Sequence, residues 1–362
     1  MFNYFPLNMT LFTSHPHICK LPSGLLAKAV ILIAMLSLSA ITGNALPTDF
    51  YASSSALSQG KWARVQVKES GMQLISNSTL KSLGFTDPDK VNVYGFGGRM
   101  LSERLNESMP DDLPVVPSIR TPQGIVFFGH ASILWSSHRG KLNSYTHVLN
   151  RYSEEAYYFI SDRDRPRANP AEAEEIKPAS GEPITVFTER LVHEQDLVPA
   201  INTGPFTMGE DFRQQAKRTF PFKLPGNTGE AIITVKFGAY HKGNASLMFT
   251  ANNERLNSSS SDKIPSTGST SYISTTTTTK NAGNVGESLN LLIELTSTAT
   301  PSFAYLDYIE VEYPRSLKID GNELYFYLSP TAASEVKVDG CSESTVIWDV
   351  TEPQNAKLVA HT

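Results

Sequence analysis

The chain has 362 residues, of which 40% are hydrophobic and 19% charged, with a formal net charge of −5. That length leaves room for two or three domains with a sizeable core, and the composition excludes a disordered chain. An acidic balance without a basic run offers nothing to a phosphate backbone, so no nucleic acid is expected as a partner.

Residues 1–45 read as a secretory leader. They carry Lys20 and Lys28, no acid, and then the apolar run AVILIAMLSLSAITG from Ala29 to Gly43. Gly43, Asn44 and Ala45 put small residues where a signal peptidase reads, which predicts cleavage between Ala45 and Leu46. The apolar run falls short of the roughly 20 residues a spanning helix needs, which argues against a membrane anchor and leaves no transmembrane helix after processing. Translation starting at Met9 would give the leader a more ordinary length. Cys19 precedes the apolar run and is not placed for lipid attachment. Loss of the two lysines takes the formal charge to −7, and Cys341 is then the one cysteine left, so no internal disulfide can form.

Residues 46–165 are expected to form a mixed, β-rich unit. In KWARVQVK, Ala63, Val65 and Val67 alternate with Arg64, Gln66 and Lys68, the period of a strand. STLKSLG follows, with Ser78 as a helix cap and Gly84 as a left-handed stop. VNVYG, IVFFG and AYYFIS, starting at Val91, Ile125 and Ala156, read as buried strands. The Pro-, Ala- and charge-rich tract from Asp162 to Pro183 has no hydrophobic period and reads as a linker, centred on 166–183.

Residues 184–317 are predicted to form a jelly-roll-like β-sandwich. AIITVKFGAY puts Ala231, Ile233, Val235 and Phe237 on one face; LNLLIELT does the same for Leu289, Leu291, Ile293 and Leu295. SLMFT and TSYIST add short strands, and the threonine run in STTTTTK suits an edge strand. In YLDYIEVEYP, Ile309, Val311 and Tyr313 alternate with Glu310 and Glu312, while Leu306 and Tyr308 fall on the polar face and need a cover. Many short strands between Gly, Asn and Ser turns point to a sandwich. In residues 318–362, LYFYL, EVKV and VIWDV read as β again, too little to fold alone, so this piece must pack on a neighbour. KLVAHT then reads as the start of another element, and the expectation is of a chain cut before a further domain.

No constellation in the sequence makes an active site. Cys341 sits in the turn VDGCSES; His193, His241 and His361 are the histidines to test as its base. His130, His138 and His147 are spaced by eight and nine residues, unlike a zinc site. YGFGGRM, Tyr94 to Met100, is glycine-rich after a strand but lacks both the dinucleotide fingerprint and a following Lys-Ser/Thr, so a tight turn is expected instead of a phosphate loop. Asp111–Asp112 and Glu210–Asp211 are adjacent carboxylates in loops, and Asn77 and Asn244 head glycosylation sequons of low information. No catalytic, cofactor or metal residue is assigned, and no cofactor is expected.

Longer strings carry a resemblance. SQGKWARVQVKESGMQLIS, SLGFTDPDKVNVYGFGGRML, PDDLPVVP and YSEEAYYFIS resemble, in that order, the N-terminal region of the PorU-like sortases of the type IX secretion system, in the gingipain-type cysteine peptidase family. FTERLVHEQD, GPFTMGEDF and YLDYIEVEYPRSL look like the family's following β-sandwich, and IWDVTEPQNAKL is similar to the segment leading into its catalytic domain. The resemblance implies an exported protein at the cell surface or outer membrane, with type IX secretion components and cargo C-terminal domains as partners. Full-length members are cysteine endopeptidases that remove the sorting domain from cargo and join the new end to surface lipopolysaccharide. Their Cys–His pair lies in a later domain, and no residue here matches it. Two other readings stand beside this one: a secreted glycan- or protein-binding sandwich using Tyr272, Tyr305 or Tyr308, and an enzyme working through Cys341.

Overall fold

A computed structural model describes residues 51–101, 111–137, 145–163, 165–172, 181–199, 207–256, 262–266, 273–328 and 334–361. Residues 1–50 lie outside them, and with them the leader and its cleavage point at Ala45 and Leu46. The fold is mainly β. The segments Ser54–Met100 and Asp112–Thr362 belong to one compact unit.

The N-terminal strands are β1 (Trp62–Val67), β2 (Gly71–Ser76), β3 (Asn92–Tyr94), β4 (Ser118–Thr121), β5 (Gly124–Gly129), β6 (Ile133–Ser137), β7 (Tyr145–Leu149) and β8 (Ala156–Ser161). They form the antiparallel sheets β1-β8-β3 and β2-β5-β4, and the hairpin β6–β7. Val67, Leu80, Phe85, Val93, Phe127, Tyr158 and Ile160 fill the core between the two sheets. β2 escapes the sequence pattern because its burial does not alternate, Leu74 in its middle being 55% exposed. Among the described residues one α-helix, α1 (Asn77–Ser82), follows β2 directly. Its cap is Ser76, not Ser78: Ser76 stays extended and its hydroxyl accepts from the Thr79 N–H at 3.1 Å, while Ser78 already lies inside the helix. Gly84 ends the turn at φ +83°, as expected of a left-handed stop.

The tract read as a linker is partly tied down. Ser118 N–H donates to Ala168 O at 2.9 Å, Asn92 Nδ2 donates to Arg165 O at 3.0 Å, and Arg167 Nη2 donates to Asp89 O at 2.5 Å. The short strand β9 (Ala171–Glu172) also lies in this tract.

The following strands are β10 (Val186–Glu194), β11 (Val198–Pro199), β12 (Thr207–Met208), β13 (Lys217–Lys223), β14 (Ala231–Tyr240), β15 (Ala245–Ala251), β16 (Glu254–Arg255), β17 (Lys263–Ile264), β18 (Ser274–Gly283), β19 (Ser288–Ser297) and β20 (Phe303–Ser316). β10-β20-β14-β18 makes one antiparallel sheet; β13-β19-β15-β16, with β17 on β15, makes the other. The inner faces meet in a core that includes Ile233, Val235, Phe237, Leu247, Phe249, Leu289, Leu291, Ile293, Ile309 and Val311. Each such side chain contributes about 1.5–3 kcal/mol when fully buried, which is why this alternation dominates the fold. The threonine run forms β18, at the margin of its sheet as expected.

β20 corrects one expectation. Lys236 on β14 faces Tyr308 while the next residue, Phe237, faces Leu306, so Asp307 is an extra residue on β20. The bulge switches the side-chain phase: Leu306 turns into the core, fully buried, and only Tyr308 remains on the polar outer face.

The C-terminal piece packs on its neighbours, but LYFYL and EVKV are not ladder strands. Val336 and Asp339 make isolated parallel bridges to Ile184 and Lys318. Tyr325, Phe326 and Tyr327 belong to no ladder, and alternate rings take different partners. Tyr325 meets Phe128 at 5.1 Å and Tyr327 meets Tyr145 at 5.6 Å, while Phe326 meets Phe187 of β10 at 5.7 Å. A period of two is present without backbone pairing because the aromatic contacts on both sides hold the segment. β21 (Ile347–Asp349) pairs with β22 (Lys357–Val359), and β22 runs parallel to β9. Lys357–Val359 of the KLVAHT stretch are therefore engaged with β21 and β9.

Candidate functional site

The outer face of the sheet β10-β20-β14-β18 carries the densest chemistry in the described residues. Strand alternation puts Arg190 and Glu194 of β10, Tyr308, Glu310 and Glu312 of β20, and Lys236 of β14 on this face. Register then pairs Arg190 with Glu312 and Lys236 with Tyr308. Arg190 Nε donates to Glu312 Oε1 at 2.8 Å, and Lys236 Nζ lies 2.7 Å from Asp307 Oδ2.

The β6–β7 hairpin and the aromatic strap cover this face. His147 of β7 projects into it with its side chain 5% exposed. Its Nε2 is 2.9 Å from Glu194 Oε2 and its Nδ1 bonds Glu310 Oε1, so one imidazole bridges two strands of the sheet. The ring meets Tyr308 edge-on at 4.6 Å and Trp135 at 5.8 Å. Burial alone would lower the His147 pKa, but the bonds and charges of Glu194 and Glu310 overcome it and raise it to about 9. Burial, reinforced by Glu310, Asp307 and Glu194, pushes the Tyr308 hydroxyl up to about 12. Beside them Arg190 stacks over Tyr145 at 4.2 Å, and Tyr325 donates to Tyr327 at 2.6 Å. A buried charge costs several kcal/mol unless paired, so this face is stable only while its partners remain together.

A second feature is a cleft of about 320 Å³ bordered by β10 and β13, lined by His193, Glu210, Gln215, Arg218, Phe220 and Phe222. His193 Nε2 lies 2.6 Å from Glu210 Oε1, and the His193 ring is 5.0 Å from Phe220. Burial works to raise the Glu210 pKa, but the bond from His193 and the nearby Arg218 hold it below the ordinary carboxylate value.

The residues singled out from the sequence are scattered. Cys341 is exposed and free in its turn. Of the histidines tested as its base, His193 serves Glu210, His241 is buried against the carbonyls of Gly243 and Ile264, and His361 bonds the Thr345 carbonyl at 2.7 Å. His130 is mostly buried next to Phe128, and burial, with Arg99, lowers its pKa to about 4. His138 lies outside the described residues. Among the described residues, no group of three or more His, Cys, Asp or Glu is placed to hold a metal ion.

The acidic pairs have internal duties. Asp112 Oδ2 accepts from the Ala56 N–H at 2.6 Å, and Asp211 takes a two-pronged bond from Arg213, whose Nη2 also reaches the Tyr305 hydroxyl at 2.5 Å. Tyr305 is 5% exposed and stacked on Phe303, and Tyr308 is half-buried under the hairpin, so neither is the exposed aromatic a glycan platform requires. Tyr272 lies outside the described residues. In the glycine-rich loop, a β-carbon on Gly98 would sit 2.1 Å from the Ala131 carbonyl oxygen, and one on Gly97 2.6 Å from His130 O. The glycines serve close backbone packing, as expected from the missing phosphate-loop lysine.

Sequence reasoning missed the His147 cluster. The carboxylate partners are on β10 and β20, with Glu310 163 residues away, and no local spacing signals them.

No protein-family model and no curated protein matches the chain. Among solved structures, the chain is similar to that of dimeric latent PorU from Porphyromonas gingivalis, with 26% identity and a TM-score of 0.73 over 84% of this chain. The match spans only 30% of that PorU chain. An isomalto-dextranase of Arthrobacter globiformis T6 in complex with panose (11% identity, 69% of this chain and 34% of that one) and the VP2 subviral particle of infectious bursal disease virus (11%, 75% and 76%) give TM-scores of only 0.21 and 0.22. The fold is PorU-like. No helix among the described residues is long and apolar enough to cross a membrane.

Proposed function

We propose that this chain is the non-catalytic N-terminal region of a PorU-like sortase of the type IX secretion system. The observation that carries the reading is the shared fold over 84% of this chain, confined to 30% of PorU. In this reading residues 1–45 are a leader cleaved between Ala45 and Leu46, and the mature protein is displayed at the cell surface. Residues 46–165 and the sandwich at 184–317 form a platform, which 318–362 strap together ahead of a catalytic domain. The complete enzyme removes C-terminal sorting domains from cargo and attaches the product to surface lipopolysaccharide. The role of this region is to hold and orient, and its chemistry fits that role. His147 is engaged with Glu194 and Glu310, His193 with Glu210 and Lys280 with Asp262, and Cys341 is a free, exposed thiol.

Deleting the gene in its host and following secreted cargo by immunoblot tests the reading. Cargo is expected to keep its sorting domain and to lose its surface attachment. Normal cargo processing in the deletion strain would sink the proposal.

A further inference from the structure

We propose that the β6–β7 hairpin is a pH-responsive latch on the sandwich, shut while His147 carries a proton between Glu194 and Glu310 and released when that proton is lost.

The geometry supplies the argument. Among the described residues the hairpin is a two-stranded sheet paired only within itself, from Ile133–Leu149 to Ser137–Tyr145, so it can leave the sandwich face as a unit. Without that support a two-stranded ladder is only marginally stable and its amides exchange. Tyr145 of β7 lies under Arg190 of β10, a contact that does not change with the proton, and the tie that does is the His147 ring with a carboxylate beside each nitrogen. A neutral imidazole has one N–H and can donate to only one of the two; a protonated ring has two and satisfies both. Loss of the proton therefore removes the charge that attracts both carboxylates and turns a ring nitrogen's lone pair on a carboxylate oxygen. It also leaves two carboxylates, with side chains 13% and 17% exposed, without the charge that His147 supplied between them.

The other charged and titratable groups on this face do not replace that proton. Lys236 is committed to Asp307, while its ammonium stands 5.6 Å over the Tyr308 ring. Arg190 is committed to Glu312 and to the Tyr145 ring. Tyr308 touches the imidazole by its ring edge, and burial keeps its hydroxyl neutral well into the alkaline range. Among the described residues of the hairpin, the ring meets Trp135, which carries no charge. Opening would uncover Trp135, the imidazole and the Tyr308 ring together.

The pKa of His147 is raised from 6.5 to about 9, so the latch is fully effective below about 6.5 and is lost as pH rises through about 9. Because each pKa unit is a tenfold factor, the opening equilibrium of the hairpin increases by up to roughly 10²-fold across this window.

Amide hydrogen exchange of the intact chain, corrected for the intrinsic pH dependence of exchange, reads this directly. Peptides covering Tyr145–Leu149 should lose protection on the order of 10²-fold between pH 6 and pH 10, while β19 in the sandwich core keeps its protection. The His147→Gln variant should exchange fast in the hairpin at every pH, with no step. Glu194→Gln and Glu310→Gln provide a second route, each moving the step to lower pH. A hairpin whose protection tracks β19 from pH 6 to pH 10, or a step that persists in His147→Gln, overturns the proposal. The readout is local and independent of sortase activity, so it can fail while the functional reading stands.

Discussion

Replacing Gly98 by alanine tests whether the glycine-rich loop is a packing device. The added β-carbon would meet Ala131 O at 2.1 Å, Ala131 C at 2.4 Å and Ser132 N at 2.6 Å, all backbone atoms that cannot rotate away. Gly98 cannot simply retreat either, because its N–H donates to His130 O at 3.1 Å and its carbonyl accepts from Asn150 Nδ2 at 2.9 Å. Overpacking of this kind costs about 1–3 kcal/mol, and weakening the two bonds adds about 0.5–1.5 kcal/mol each, so a loss of roughly 2–6 kcal/mol is expected. Gly283 provides the control: its φ is +70° but nothing lies within 4 Å of its β-carbon position, so Gly283→Ala incurs only the left-handed penalty of about 1–2 kcal/mol. Urea unfolding followed by far-UV circular dichroism compares them at constant m. The reasoning is refuted if Gly98→Ala lies within ~0.5 kcal/mol of wild type or is milder than Gly283→Ala.

Two further outcomes follow from buried partners. Lys280 Nζ lies 2.7 Å from Asp262 Oδ1, with side chains 8% and 4% exposed, so Asp262→Asn removes the counter-charge this carboxylate gives a buried ammonium and should cost about 3–5 kcal/mol by urea midpoint. The double change Asp262→Leu with Lys280→Met should be milder than Asp262→Asn alone; equal or greater loss would contradict the desolvation argument. Tyr325→Ala removes ring contacts to Phe128 at 5.1 Å and Tyr327 at 4.9 Å, worth about 0.5–1.5 kcal/mol each, and should loosen the strap. Limited proteolysis should then cut faster between Lys318 and Val346, and an unchanged cleavage pattern would show that the strap is held elsewhere.

The alternation in AIITVKFGAY, LNLLIELT and YIEVEY was enough to specify the sandwich strands and most of their inward faces. Side-chain direction in a strand is a local property with a period of two, and burying those faces is the largest favourable term. The helix stop at Gly84 and the turn role of Gly97 and Gly98 were legible for a similar reason, since only glycine accepts those backbone positions. What the sequence could not announce depended on partners far along the chain. Leu306 belongs to the core only because Asp307 bulges against β14. LYFYL has a strand's period but becomes a strap because Phe128, Tyr145 and Phe187 receive its rings. His147 looked like one of three unrelated histidines until folding put it between Glu194 and Glu310. Strand identity is decided by nearest neighbours and water, whereas the state of a buried charge is decided by whichever distant residues the topology brings within 3 Å of it.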